Sequence, residues 1–228
     1  MRVSVVLAVR DGERFLDEAL RSVFAQHRPP DEVVAVDDGS VDATASILAH
    51  YPPIRVLQQS NTGAAIARNR GVSEATGDVV ALLDHDDVWD AAKLSSQVSA
   101  LEADPSLGFV LCAIDNFLTP GLEAVPAWVD RRTIGVPQPG YGTGTLCMRR
   151  STFERVGPFD PATAPCDDSD WLVRALDAGV RFSHLDRPLV RRRIHDGNLS
   201  ADSRGPAHRH AMMAHILHAS LVRRRQNR

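Results

Sequence analysis

Acidic residues collect at three places in patterns suited to holding a cation or moving a proton: Asp37-Asp38, Asp84-His85-Asp86-Asp87 and Asp167-Asp168-Ser169-Asp170. Like charges gathered this closely repel unless a cation or a donor-rich ligand sits among them, which suggests a divalent metal. Asp84 and Asp86 bracket one residue. On an extended segment side chains i and i+2 share a face, so both could reach one assembly, a spacing that suits Mg2+ or Mn2+ bridging phosphates. The same acids also suit helix starts. Asp84 or Asp87 could cap the helix containing Leu94, and Ser40 could cap the helix after Asp37-Asp38, with Gly39 making the turn. Asn61-Thr62-Gly63 opens a further helix whose free N–H groups favour an anion such as a diphosphate, and Arg68 and Arg70 lie on it. Arginines on a surface helix are more often solvated, and neither the dinucleotide-binding nor the P-loop glycine pattern accompanies them. His195 follows a strand, where a lone histidine is more often a surface or satisfied core residue than a ligand.

The elements that must position these groups follow from the apolar pattern. Val3–Val9, Val33–Val36, Ile54–Leu57, Val79–Leu83 and Phe109–Ile114 read as buried strands. Between them, Phe15, Leu16, Leu20, Val23 and Phe24 fall at helical spacing, Ile47, Leu48 and Tyr51 mark a helix stopped by Pro52-Pro53, Gly63 to Ala75 a third, and Leu94, Val98 and Leu101 a fourth. Strands apolar on both faces alternating with helices predict a mostly parallel sheet with helices on both sides. In such a sheet ligands bind beyond the carboxyl ends of the strands, where two of the acidic clusters fall. Residues 115–144, rich in Gly and Pro, read as extended loop. After them come a strand at Thr145–Met148, short helices at Ser151–Val156 and near Asp168–Ala178, strands near Arg181–Leu185 and Leu189–Ile194, and a final helix from Ala207 to Arg228.

The chain has 228 residues, 43% of them hydrophobic, enough for one large domain with a well-filled core and too apolar for disorder. A formal net charge of −3 provides no global attraction for nucleic acid or acidic membranes. Cys112, Cys147 and Cys166 contain no CxxC pair and are odd in number, which favours a reducing, cytoplasmic setting. No apolar run approaches the roughly 18 residues of a membrane span, and the first one stops at Arg10-Asp11 with no cleavage signal, so an unprocessed chain is expected.

Taken in order, seven segments resemble a family 2 glycosyltransferase of the GT-A fold over about Val3 to Ser200. They are Val3 to Asp11 (VSVVLAVRD), Val36 to Asp42 (VDDGSVD), Asn61-Thr62-Gly63 with Ala67 to Gly71 (ARNRG), Leu83 to Trp89 (LDHDDVW), Val156 to Asp160 (VGPFD), Asp167 to Trp171 (DDSDW) and Arg193-Ile194-His195. The resemblance implies an α/β, Rossmann-like, mostly parallel central sheet flanked by helices, with a small mixed C-terminal part. It divides the chain into a nucleotide-binding half (1–114), an acceptor-binding and catalytic half of the same domain (115–206) and a C-terminal helix (207–228). It implies an inverting transfer of a sugar from a UDP-, GDP- or dTDP-linked donor to an acceptor hydroxyl. Ala8, Val9, Arg10 and Asp11 would wall the nucleotide, Asp38 would accept a hydrogen bond from the base, and Asn61, Arg68 and His85 join the nucleotide-binding set. Asp84 would hold the ribose or a metal-bound water, Asp86 would coordinate Mg2+ or Mn2+ with His195 as a further contact, and Asp168 would be the general base.

Ala8-Val9-Arg10-Asp11 departs from the family's usual Pro-Val-Tyr-Asn type, so no aromatic at position 10 stacks on the base. No Gln-x-x-Arg-Trp pattern of processive synthases is present. A sugar-1-phosphate nucleotidyltransferase shares such a fold, but Arg10 to Arg14 (RDGER) is too short and acidic for its triphosphate loop. A catalytically inactive binding module is the remaining alternative, against which Asp84, Asp86 and Asp168 stand. In the last helix His215 and His218 share a face, better read as a solvated helix than a metal cluster. Arg223 to Arg225 there suggest peripheral contact with acidic lipid at the inner face of the membrane or with a partner, and Met212 and Leu217 a dimer seal.

Overall fold

The structure, a computed structural model, describes residues 1–122, 124–198 and 206–226. Ser200, where the resemblance ends, and residues 227–228 of the expected last helix lie outside the described residues. In chain order the elements are β1 (Val3–Val9), α1 (Leu16–Phe24), β2 (Glu32–Asp37), α2 (Thr44–Ala49), β3 (Ile54–Gln58), α3 (Ala64–Glu74), β4 (Val79–Asp84), β5 (Val88–Trp89), α4 (Lys93–Ala103), β6 (Leu107–Leu118), β7 (Gln138–Pro139), β8 (Cys147–Arg149), α5 (Arg150–Val156), α6 (Asp167–Asp177), β9 (Arg181–Ile194) and α7 (Pro206–Gln226).

Among the described residues the strands form a single nine-stranded sheet in the order β3-β2-β1-β4-β8-β6-β9-β5, with β7 beside β6. Strands β1 to β4 pair in parallel, as their two-sided apolar character predicts. Beyond β4 the sheet is mixed: β8 runs antiparallel to both β4 and β6, whereas β6 and β9 are parallel. The mixed part is therefore continuous with the parallel sheet. Two expectations are corrected here. Strand β6 continues to Leu118 and β7 pairs with it, so residues 115–144 are not wholly loop, because the polar end of β6 finds a complete hydrogen-bonding partner in β9. The two strands expected at Arg181–Leu185 and Leu189–Ile194 are one strand, with register shifts opposite Cys112 to Ile114 absorbing the polar residues between them.

Alternation along β1 sorts the core into two layers. Val3, Val5, Leu7 and Val9 face Leu16, Leu20 and Val23 of α1 and Leu94, Val98 and Leu101 of α4. Val6 turns the other way, with Val34, Val80 and Leu82, toward Ala65 and Val72 of α3 and Trp171 of α6. Gly71 permits the close approach of α3, since a Cβ there would lie 2.4 Å from Val6 Cγ1. Cys112, Cys147 and Cys166 are buried free thiols. Helix α7 packs on α6 through buried Ile216, with Ser220 Oγ, Arg223 Nε and Arg224 Nε all reaching the Asp177 carboxylate. Part of the terminal positive charge is thus neutralised within the domain, while Leu217 and Leu221 stay exposed. Among the described residues no helix is long and apolar enough to cross a membrane.

Trp171 anchors α6 to the sheet. It is fully buried, packs edge-on to Phe109 at a centroid distance of 5.7 Å and donates its indole N–H to Gly157 O at 2.9 Å. Trp171→Ala is expected to cost about 3–5 kcal/mol of unfolding free energy, measured by urea denaturation.

Candidate active site

The parallel register brings the acidic clusters together. Ala8 pairs with Asp84, and Val9 with Asp37, so the ends of β1, β2 and β4 open onto one edge. The chain leaves β1 through Arg10 and Asp11, and Asp11 takes a positive φ of 49°. Its N–H donates to Ser40 Oγ at 3.0 Å and its Oδ1 accepts from the Val41 N–H at 2.9 Å, which clamps this loop to the one after β2. Both Arg10 and Asp11 are exposed, with Arg10 Nε 3.5 Å from Asp11 Oδ2. Ala8 and Val9 lie behind them. His85 lies against the same loop, where a Cβ on Gly12 would come 3.1 Å from its ring.

Asp38 is buried at the mouth of α3. Its Oδ1 accepts from Gln59 Nε2 at 2.9 Å and from the Thr62 N–H at 2.8 Å, and its Oδ2 from the Gly63 N–H at 2.8 Å. Burial works to raise its pKa, but these donors together hold it below the usual carboxylate value. Amides that the sequence offers to a diphosphate are therefore occupied by a carboxylate of the chain itself. Asn61 is exposed on the loop beside them. Ser40 does not cap α2, because Asp42 accepts the Thr44 N–H at 2.9 Å instead, and Asp90, rather than Asp84 or Asp87, accepts the Ala92 N–H ahead of α4.

Arg68 is not solvated. Its side chain is 13% exposed and bridges two elements, donating from Nη2 to Asp84 Oδ1 at 3.2 Å and from Nη1 to Asp167 Oδ2 at 3.0 Å. Arg70 instead bonds Gln58 O from the helix surface. Thr143 Oγ1 lies 3.3 Å from both oxygens of Asp84. The turn carrying it lies close on the acids at Gly144, where a Cβ would stand 3.1 Å from Asp84 Oδ2 and 3.4 Å from Asp87 Oδ2.

Asp84 and Asp86 do not share a face in this structure. The chain turns after β4, with the Asp87 N–H bonded to Asp84 O at 3.1 Å, so the alternation of an extended strand is lost. Asp86 faces the end of β9, where its Oδ2 meets His195 Nε2 at 2.9 Å and Asn198 Nδ2 at 3.1 Å. Burial opposes ionisation of Asp86, but the His195 contact and nearby His85 keep its pKa low. Asp87 points inward, accepting the Arg193 N–H at 2.9 Å, and burial together with Asp86 and Asp84 pushes its pKa well up.

Asp168 stands in the first turn of α6, next to Asp167. Burial and then the Asp167 charge raise its pKa to about 6, against the Ser169 N–H and Arg68, which favour the ionised form. Gly142 passes over it, with room for a Cβ 3.5 Å from Asp168 Oδ2.

Several partnerships in this site are not legible in the sequence. The Arg193 guanidinium lies 4.6 Å from the rings of both Phe15 and Phe117, bonds Asp86 O at 2.9 Å and pairs with Glu18. Thr143, Asp167 and Asn198 likewise acquire partners from remote segments. Among the described residues no three His, Cys, Asp or Glu converge as a ready-made metal cage. The donor set nonetheless fits Mg2+ or Mn2+ used with a diphosphate, which takes one or two carboxylates and completes its shell with phosphate oxygens and water. Asp86, with its Oδ2 held by His195, offers one such carboxylate.

A sheet edge lined by carboxylates, walled by the β1 loop and faced by an acidic helix start, defines a GT-A α/β domain. Residues 4–155 match the family described as Glycosyl transferase family 2, and the chain belongs to that family. An uncharacterized glycosyltransferase of Nostoc sp. (strain PCC 7120) is 31% identical over 213 residues, covering 87% of this chain and 66% of that protein. The structure of Staphylococcus aureus TarS 1–349 with UDP-GlcNAc superposes with a TM-score of 0.75 at 21% identity, over 95% of this chain and 65% of that one. A mannosyltransferase from Pyrobaculum calidifontis, solved with GDP-Man and Mn2+, superposes at 0.62 with 25% identity, over 82% of this chain and 55% of that one. The chain thus spans about two thirds or less of the length of these proteins.

Two outcomes follow from the charges. A folded-state pKa near 6 lies above the unfolded value of about 3.9, so the Asp168 contribution to stability is present below about pH 4 and is lost as pH rises through about 6. In EDTA, Asp168→Asn is expected to raise the thermal midpoint above that pH and to leave it unchanged below pH 4. Arg68→Met leaves buried Asp167 and half-buried Asp84 without their cation and is expected to cost about 3 kcal/mol in urea unfolding.

Proposed function

We propose that this domain moves a sugar from a nucleoside-diphosphate sugar to an acceptor hydroxyl in one inverting displacement, assisted by Mg2+ or Mn2+. The observation that carries the reading is Asp168. It is a carboxylate with a pKa raised to about 6, beside the Asp84–Arg68–Asp167 bridge at the same edge that holds Asp86. A base poised near neutrality is matched to taking the proton of an attacking hydroxyl.

On this reading the acceptor oxygen forms a bond to the anomeric carbon, its proton passes to the Asp168 carboxylate, and the carbon–oxygen bond to the diphosphate breaks. Ala8, Val9, Arg10 and Asp11 wall the nucleotide with His85, and Asp38 with Asn61 lies at its base end. Asp84 takes the ribose or a metal-bound water. Arg68 holds Asp84 and Asp167 in place and tempers the charge around Asp168, which replaces a direct contact with the diphosphate. Asp86, with His195 beside it, holds the divalent cation, which when bound neutralises charge on the departing diphosphate. Membership of the family and the GDP-Man and Mn2+ of the Pyrobaculum mannosyltransferase support a nucleotide-sugar donor and a divalent ion.

Calorimetric titration with UDP, GDP and dTDP, with and without Mn2+, tests the donor site. One nucleotide is expected to bind more tightly with Mn2+, and Asp86→Ala to lose that increment while keeping metal-free binding. Asp168→Asn is expected to lower turnover by about 10²- to 10⁴-fold with nucleotide affinity retained. Near-normal turnover of that variant would remove Asp168 from the role.

A further inference from the structure

Asn198 lies three residues past His195 and is buried, although it belongs to no helix or strand. Its side chain makes three contacts at once. Oδ1 accepts the His195 N–H at 2.7 Å, while Nδ2 donates to Asp86 Oδ2 at 3.1 Å and to Arg193 O at 3.1 Å. The orientation of the amide follows from these partners. Flipped, it would set an oxygen against a carboxylate and a carbonyl and an N–H2 against an N–H, losing all three bonds. The adjoining Gly197 N–H donates to His195 Nδ1 at 3.1 Å, so the imidazole is held from both sides, with Nε2 turned to Asp86. Among the described residues, both side-chain donors to Asp86 end on Oδ2. Oδ1 is thereby the oxygen left to face a ligand.

We propose that Asn198 is a positioning residue for the cation site: it locks the rotamer of Asp86 and the backbone of His195, whose imidazole holds Oδ2 as a donor, so that the Asp86 carboxylate meets a divalent ion already aligned. The assignment deepens, and rests on, the metal-assisted reading above. Outer partners of a metal-binding group fix its orientation, and losing one typically weakens metal affinity about 10- to 100-fold. The base and ribose end of the nucleotide site, built on β1, β2 and α3, shares no hydrogen bond with Asn198. Its loss is therefore expected to fall first on the ion.

Two variants separate alignment from general loosening. Asn198→Ala removes all three bonds. Asn198→Asp keeps the shape and the acceptor for His195 N–H but sets a carboxylate oxygen against Asp86 Oδ2. Mn2+ binding is followed by loss of the free-ion electron paramagnetic resonance signal, in the presence of UDP and, in parallel, of GDP. UDP and GDP binding in EDTA and thermal melting are measured alongside. The expected result is a 10-fold or greater weakening of Mn2+ binding in both variants, with nucleotide binding in EDTA within about twofold of the parent. If the parent binds Mn2+ and both variants match it, Asn198 has no positioning role while the metal-assisted reading stands. Nucleotide binding in EDTA that falls in step with Mn2+ binding in both variants would equally overturn the proposal, as a global loosening. A parent that binds no Mn2+ with either nucleotide would overturn the metal-assisted reading itself and this assignment with it.

Discussion

The arrangement of this domain depends on the ion-pair bridge that Arg68 makes between Asp84 and Asp167. Parallel β-strands deliver carboxylates to one edge, α6 delivers more, and gathering them out of water without a cation would cost several kcal/mol. Arg68 sits on α3, which Gly71 allows to lie close against β1, so the guanidinium reaches both the end of β4 and the start of α6. Helix packing and charge balance are thus one constraint. The bridge also joins the half of the molecule that starts the sheet to the half that carries Asp168.

Around that bridge the acids separate into groups with different environments. Asp38 is ionised and fully engaged by donors at the mouth of α3, and Asp87 is turned inward with its pKa pushed up. Asp86 is held by His195 and Asn198, and Asp168 is poised near neutrality. A run of four residues, Asp84 to Asp87, therefore supplies three distinct carboxylate environments, because the tight turn after β4 points each side chain at a different neighbour. The rigidity of this turn comes from β9. Arg193, between Phe15 and Phe117, grips both Asp86 O and the Asp87 side chain, so the last strand of the sheet positions residues placed a hundred positions earlier.

The second half of the chain contributes short irregular pieces that lie against the acids through glycines. Gly144 brings the turn before β8 close to Asp84, and Gly142 passes over Asp168. A side chain at Gly144 would press on Asp84. That turn is the roof of the acidic edge.

Much of this was legible in the residues. Periodicity alone located β1 to β4, the helices between them and the edge at which ligands gather, because local apolar patterns report which face is buried. The ordered motifs indicated the family, and the contact between Asp86 and His195 joins two of the segments they marked. Pairings between remote segments were not legible. That β6 continues past Ile114 depends on β9 alongside it, and the role of Arg68 depends on where α6 ends up. That Asp84 and Asp86 diverge depends on a turn that alternation does not describe, and Asn198 has no local signature. The sequence by itself determined which stretches are strand or helix and which residue types reach the edge, since both follow from neighbours along the chain. Only the tertiary structure decided which carboxylate meets which donor, because hydrogen bonds and pKa shifts arise over a few ångströms between residues far apart in the chain.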